Sequence, residues 1–373
     1  MENLKRTPLY EEHLKLGAQM IPFAGYEMPL KYTSIKEEHL NVRMQVGIFD
    51  VSHMGEIEIH GPDALKFAHY LVTNSVLDMK IGRVKYTPMC YEHGGEVDDL
   101  FVYNLGENFV LLVVNASNYE KDLKFVLDHK ENFNVEIIGK TDDYGEVAIQ
   151  GPKAEEFLKN YFESTTPLEK LGYFKATYGK LFGYDVIISR TGYTGEDGFE
   201  VYASPKDIVS IWNEALNKGK PFGIKPAGLG ARDSLRFEVC YWLYGNDIDE
   251  TTNPFEAGQD FAVKMDKEDF IGKSSLENIQ KVGIKRKLTG FKVLSGGVPR
   301  HGMKIYNKDG VEIGYITSGN MSFIRNEILA LGYVKLEYRD LGTRLTVKDG
   351  NRIFEIEIIE APFIEPKAGK KKV

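Results

Sequence analysis

A chain of 373 residues with 42% hydrophobic and 12% aromatic side chains is too long for one core and divides into two or three domains, each with a substantial interior. Its net charge of -8 excludes the dominant basic field of a general nucleic-acid binder, and no run of roughly 18 apolar residues offers a membrane span. The two cysteines, Cys90 and Cys240, share no metal-ligating spacing and fit a reducing compartment as small buried apolar groups. The opening MENLKRTPLYEEHLKL lacks the apolar core of a secretory signal, so a cytoplasmic location is expected.

In chain order, residues 7–16 carry Leu9, Leu14 and Leu16 among charges, which predicts a short helix behind Pro8. MIPFAGYEMPLKY (residues 20–32) is turn-rich and too irregular for one element, and a helical pattern resumes over 37–46. GEIEIHGPDALKFA (55–68) then aligns without a gap with GEVAIQGPKAEEFL (145–158). Each copy reads as an alternating strand, a Gly-Pro turn and a helix opened by the proline. Strands over 85–91, 97–105 and 109–115 and a helix over 119–129 follow the first copy; strands over 172–181, 184–190 and 198–203 and a helix over 205–217 follow the second. A duplication of two related α+β units accounts for this order, and a cleft between like halves is a natural ligand site.

Further on, Ala231, Leu235, Val239 and Trp242 fall on one helical face with Arg232 at its edge, so Arg232 can point into a cleft. Residues 273–287 are polar and lysine-rich and read as a linker. From 288 to 363 short strands alternate with Gly and Asn turns, the pattern of a small β-barrel or sandwich, and the tail KAGKKKV is expected to be mobile. The expected domains are residues 1–275, with the repeat near 55–130 and 145–217, a barrel over 285–365 and a basic tail over 366–373.

Chemistry concentrates in GGEVDDLFVY (94–103), a glycine turn followed by two acids in an apolar strand. Neighbouring strand residues point to opposite faces, so Asp98 groups with Leu100 and Val102, and Asp99 with Phe101 and Tyr103. Alternation cannot choose between the faces. SRTGYTGEDGFEVY (189–202) holds three glycines in a short span, enough for a backbone to fold closely round a ligand, but lacks the spacing of a phosphate-binding loop. The glycines at 228 and 230 form no dinucleotide fingerprint because Asp233 stands where a third glycine would fall. His53 alone among the histidines sits in a turn-like context, and neither HExxH nor a paired-His spacing occurs, so no metal site is expected; a GxSxG nucleophile elbow is missing as well.

Together with RTPLYEEH, FAGYEMPLKYTSI, GIFDVSHMGE, VVNASN, KPAGLGARDSLR, LYGNDIDETTNPFEAG and ITSGN, these stretches resemble the aminomethyltransferase family of the glycine cleavage system, the T-proteins, in order over most of the chain. The resemblance implies an α+β fold: a duplicated folate-binding region of two related subdomains plus a C-terminal β-barrel, in three lobes. It implies transfer of the one-carbon unit of an aminomethyl group, carried on lipoylated H-protein, to tetrahydrofolate, giving 5,10-methylenetetrahydrofolate and ammonia, with no metal. By the same resemblance Asp99 is catalytic and lies by the folate nitrogens, Glu200 holds the pterin, Arg232 contacts substrate, and Met54, Tyr86, Asn115 and Tyr193 line the pocket. An ordinary Asp99 carboxyl would be ionised at neutral pH.

The C-terminus departs from the family pattern: IEPKAGKKKV follows Pro362-Phe363 where many relatives place a tyrosine or arginine that reaches the site, and Lys370 is the expected substitute. The same scaffold serves folate-dependent demethylases of small methylated substrates and folate-binding iron–sulfur assembly factors. The latter carry KGCYxGQE, of which FEVCYWLYG keeps only the Cys-Tyr pair.

Overall fold

The computed structural model describes residues 4–369. The chain begins with helix α1 (Tyr10–Lys15) and an antiparallel hairpin, β1 (Gln19–Phe23) with β2 (Tyr26–Lys31). Residues 20–32 are therefore not irregular. Ala24 and Gly25 both take positive φ, 48° and 81°, and close a two-residue turn, while the prolines are tolerated because this sheet has only two strands. Helix α2 (Ile35–Met44) starts at Ser34, whose Oγ accepts from the Glu37 amide at 3.2 Å, and leads into the fully buried β3 (Val46–Asp50).

The first copy of the repeat is β4 (Gly55–His60), α3 (Ala64–Leu71), β5 (Val84–Cys90), β6 (Glu96–Gly106), β7 (Phe109–Val114), α4 (Tyr119–Asp128) and the edge strand β8 (Glu136–Gly139). The second is β9 (Gly145–Gln150), α5 (Ala154–Leu158), the short β10 (Phe162–Glu163), β11 (Ala176–Leu181), β12 (Tyr184–Ser189), β13 (Gly198–Ala203), α6 (Pro205–Lys218) and β14 (Ile224–Pro226). The sheets run β5-β6-β7-β4-β8 and β10-β11-β12-β13-β9-β3-β14, so β5-β6-β7-β4 and β11-β12-β13-β9 share one order. Each proline of the repeat lies in the turn before its helix. There Gly61 and Gly151 have φ of 127° and 138°, and a Cβ on either would meet a backbone oxygen at 2.4 Å or 2.3 Å.

The sheets pack face to face through a layer that includes Val84, Tyr103 and Leu111 from one and Ala176, Ile187 and Tyr202 from the other. Strand pairing carries the equivalence of Gly55 and Gly145 across both sheets, so Val113 corresponds to Tyr202, Tyr103 to Ser189, Tyr86 to Tyr178 and Asp99 to Asp185. Tyr103 and Ser189 meet in this layer with their hydroxyls 3.2 Å apart. The halves are thus related by an approximate twofold axis.

Helices α7 (Leu229–Glu238), α8 (Pro254–Ala257) and α9 (Lys273–Val282) follow. The expected linker is thus largely helix: Leu276 is fully buried, and Leu276 and Ile279 stand next to Gly94 in the β5–β6 turn. Strands β15 (Arg286–Ser295), β16 (Lys304–Tyr306), β17 (Glu312–Ser322), β18 (Glu327–Lys335), β19 (Arg344–Asp349) and β20 (Arg352–Ile359) close into a barrel in the order β15-β18-β17-β16-β19-β20. The barrel rests on α7, where Phe237 packs with Leu329, Leu331 and Phe363, and Arg236 bridges Asp247 at 2.6 Å and Ser318 at 3.1 Å.

The start of the basic tail is seated, contrary to expectation. The Lys367 and Ala368 amides donate to the Gly195 carbonyl at 2.7 Å and 3.1 Å, and Lys367 Nζ donates to Glu196 at 2.9 Å. Among the described residues no helix is long and apolar enough to cross a membrane.

Candidate active site

One end of the sandwich opens into a cavity of about 580 Å³. Strands β6 and β7 supply Asp99, Phe101 and Val113; β9 and β13 supply Glu146, Glu200 and Tyr202; the segment after α7 closes it with Tyr241, Trp242 and Tyr244. Every described residue expected at the site lines this cavity: Met54, Tyr86, Asp99, Asn115, Tyr193, Glu200 and Arg232. Lys370 lies outside the described residues.

The pleat of β6 separates the two acids. Asp98 faces inward with Leu100 and Val102 and is fully buried, its oxygens accepting from the Asn115 amide at 2.9 Å, Asn115 Nδ2 at 2.8 Å and Asn118 Nδ2 at 2.7 Å. Asp99 faces the cavity, where Tyr86 donates to Oδ2 and Asn115 Nδ2 to Oδ1, each at 2.9 Å. Asp98 therefore fixes the asparagine that grips Asp99. Burial and the charge of Asp98 push the Asp99 carboxyl up to about 7 against the pull of its two donors. Full ionisation at neutral pH, expected of an ordinary aspartate, does not hold here.

Glu200 on β13 is buried and accepts from Thr191 Oγ1, and burial raises its proton affinity while Thr191 and Arg232 lower it. Arg232, in the first turn of α7, lies over the Tyr193 ring with its guanidinium 4.9 Å from the centroid. Helix α7 ends at Glu238, so Trp242 is not on its face. It instead joins a stack with Tyr86 and Phe261, at centroid distances of 5.9 Å and 6.3 Å.

The glycines of the β12–β13 loop serve the loop's own packing. A Cβ at Gly192 would overlap the Gln150 side chain at 2.0 Å, and one at Gly195, where φ is 77°, would meet Val239 at 2.4 Å. They let the loop press against β9 and the end of α7, and so bring Tyr193 to the cavity wall.

Several wall residues were missed from sequence. Glu146 is buried, one of its carboxyl oxygens has no hydrogen-bond partner among the described residues, and burial with the charges of Glu200 and Glu56 holds its proton affinity well above the usual carboxylate range. Its signal was present: Glu56 and Glu146 occupy the same place in the repeat, each beside glycine in an apolar strand. His53 also lines the cavity, lowered to about 4 by burial and by Arg232, and is therefore neutral at neutral pH. Tyr241, in the irregular segment beyond α7, and Phe261, in a single 3₁₀ turn over Asp260–Ala262, carry no periodic signal, and the helical phase of Trp242 placed it on a helix that stops short of it.

Residues 9–267 match the family model of the GCVT N-terminal domain, and residues 286–365 that of the glycine cleavage T-protein C-terminal barrel domain. The chain belongs to the aminomethyltransferase family. Aminomethyltransferases of Thermosipho melanesiensis and Halothermothrix orenii are 46% and 48% identical to it, over 99% and 97% of this chain and 99% and 100% of theirs. The crystal structure of glycine cleavage system aminomethyltransferase T from Bartonella henselae superposes with a TM-score of 0.91 at 31% identity, covering 99% of this chain and 100% of that one. In this aminomethyltransferase-family chain, the mixed α+β region and the small C-terminal barrel expected from the sequence are both present, the barrel closed by six strands. It is a transferase of the glycine cleavage type, in a family that uses tetrahydrofolate.

Proposed function

We propose that the chain accepts the aminomethyl group carried by lipoylated H-protein and passes its one-carbon unit to tetrahydrofolate, releasing ammonia. The observation that carries this reading is Asp99, a donor-flanked carboxyl near 7 on the wall of an aromatic cavity whose other wall presents Glu200. Family membership supports it over demethylation or iron–sulfur assembly.

The donor set fits a reduced pterin. The stacked rings of Tyr86, Trp242 and Phe261 suit a flat heterocycle, and Glu200 can accept the paired N–H donors of its edge. Asp99 would stand by the acceptor nitrogens, and Arg232 would contact a carbonyl or anionic group. Bound tetrahydrofolate supplies the amine nitrogens that receive the one-carbon unit.

Asp99 works on a proton. Each of its oxygens already accepts one hydrogen bond and keeps a further lone pair, so it can take a proton from an amine as that nitrogen forms a bond to carbon. A carboxyl near 7 does this at little cost in either direction, whereas one at an ordinary aspartate value would be too weak a base. The aromatic roof excludes water, and the fixed carboxyl supplies orientation. The test combines the full chain with aminomethyl-loaded lipoylated H-protein and tetrahydrofolate. Methylenetetrahydrofolate and ammonia are expected in equal amounts, and their absence, with turnover of a small methylated donor instead, would replace this reading by demethylation.

A further inference from the structure

Glu146 is a carboxyl on the cavity wall for which the proposed chemistry has no task. Strand pairing sets it opposite Tyr202 and diagonal to Glu200, which stands opposite Ala148, so both carboxyls leave the β9–β13 pair on one face. Both line the cavity and both are buried, Glu146 with 2% of its surface exposed. Their partners differ. Glu200 accepts from Thr191 Oγ1, behind which stand the hydroxyls of Ser189 and Tyr103. Glu146 has a carboxyl oxygen with no partner among the described residues, and the donor that approaches the group, the Tyr202 hydroxyl, is shared with Tyr103 at 3.0 Å.

Two neighbouring carboxyls in a dry site do not both ionise unless donors and cations match them. Glu200 and Glu56 favour a proton on Glu146, while Arg232 and Tyr202 oppose it; burial outweighs the opposition and holds its proton affinity well above the carboxylate range. Glu200 is raised less, because Thr191 and Arg232 counter its burial. Of the pair, Glu146 therefore keeps its proton.

The ligand edge asks for such a neighbour. Along its pyrimidine edge a reduced pterin carries an amino group and a ring N–H side by side, with a ring-nitrogen acceptor on one flank and a carbonyl oxygen on the other. Once Glu200 accepts from the two donors, a carboxyl beside it meets an acceptor whichever way the ring is turned. An ionised carboxylate would repel that acceptor, whereas a protonated one bonds it. We propose that Glu146 is a neutral carboxylic acid that donates a hydrogen bond to a ring acceptor of the pterin, next to the donors taken by Glu200. Glu146 is then a specificity-determining residue: the two carboxyls read donors and acceptor together, and the ligand supplies the partner that the free oxygen lacks.

The inference rests on the reading of the cavity as a pterin site, and its test keeps the two apart. Binding of tetrahydrofolate, and of 6-methyltetrahydropterin, which keeps the ring without the glutamyl tail, is measured by calorimetry on the full-length chain with no H-protein present. Glu146→Leu should weaken both ligands by about tenfold or more, since the ring acceptor is left without its donor. Glu146→Gln, whose amide still donates, should recover most of that loss. The infrared spectra of the parent and Glu146→Gln should differ by one carbonyl band of a protonated carboxyl, and in the parent that band should move to lower frequency when either ligand binds. The proposal is overturned by a folded Glu146→Leu that binds both ligands as tightly as the parent, by a loss confined to tetrahydrofolate, by a Glu146→Gln no better than Glu146→Leu, or by a band that is missing or that ligand does not move. Should Glu146→Leu not fold, the band and its response to ligand decide. If binding follows the proposed pattern while the parent makes no methylenetetrahydrofolate from loaded H-protein, the pterin contact stands and the transferase reading fails. Methylenetetrahydrofolate formation with unchanged affinities in Glu146→Leu keeps that reading and removes the contact, and a parent that binds neither ligand overturns both.

Discussion

The approximate twofold axis gives the sandwich two ends, and they differ. At one, Tyr86 and Asp99 line the cavity; at the other, their counterparts Tyr178 and Asp185 line an open groove with Tyr144, Tyr202 and Ser204. There Tyr178 is 52% exposed, and Asp185 pairs with Lys180 at 2.8 Å in solvent, where such a bridge contributes little. Duplication therefore supplied a tyrosine and an aspartate twice. The segment after α7 roofs one end only, with Tyr241, Trp242 and Phe261, and it is burial there that lifts Asp99 to about 7. The same residue pair becomes a working acid or a solvated ion according to what covers it.

The largest test of that contrast sets the two aspartates against each other. Asp99→Asn should lower kcat by about 10²- to 10⁴-fold, the range of a lost general base, while Asp185→Asn leaves turnover unchanged. Equal losses at both positions would dissolve the distinction. Next, Glu200→Gln, which removes a charged acceptor from the cavity, should raise KM for tetrahydrofolate about tenfold or more with a smaller change in kcat.

The connections between equivalent strands sharpen the contrast in stability. Gly195, at positive φ and pressed on Val239, lies in the long β12–β13 loop, whereas a Cβ on Gly106 in the short β6–β7 turn would meet only Phe109 at an ordinary 3.5 Å. Gly195→Ala should cost about 1–3 kcal/mol in denaturant unfolding, and Gly106→Ala clearly less.

Asp99→Asn also has a stability signature with a definite sign. A carboxyl held near 7 in the fold and near its ordinary value when unfolded stabilises relatively at low pH and loses that contribution as pH rises through 7. The variant should therefore be more stable than the parent by about 4 kcal/mol at pH 8, with the difference shrinking toward zero below about pH 4. The smallest expected effect is Tyr86→Phe. Loss of one donor to Asp99 should move the acid limb of kcat upward by about half to one pH unit, and Tyr178→Phe should not move it.

Much of this was legible in sequence because it repeats or alternates. The copies at 55–68 and 145–158 announced the two sheets, and the pleat of β6 reduced the acids to a choice of faces. Residues 273–287 read as linker because their apolar positions are few, yet Leu276 and Ile279 suffice to anchor a ten-residue helix. Trp242 kept helical phase with Leu235 but lies beyond the end of α7, since phase does not record where a helix stops. The ionisation of Asp99 was out of reach, because beside the adjacent Asp98 it depends on burial under the roof contributed by Trp242 and Phe261, which no spacing encodes.

The bonds from the amides of Lys367 and Ala368 to the Gly195 carbonyl tie the segment after the barrel to the pocket rim. The loop that carries Tyr193 thus receives two hydrogen bonds from residues beyond the last barrel strand. A chain cut short after the barrel keeps every strand of both sheets but leaves that carbonyl unpaired and Glu196 without its lysine. Removal of this segment is therefore felt at the pocket rim although every cavity-lining residue is retained.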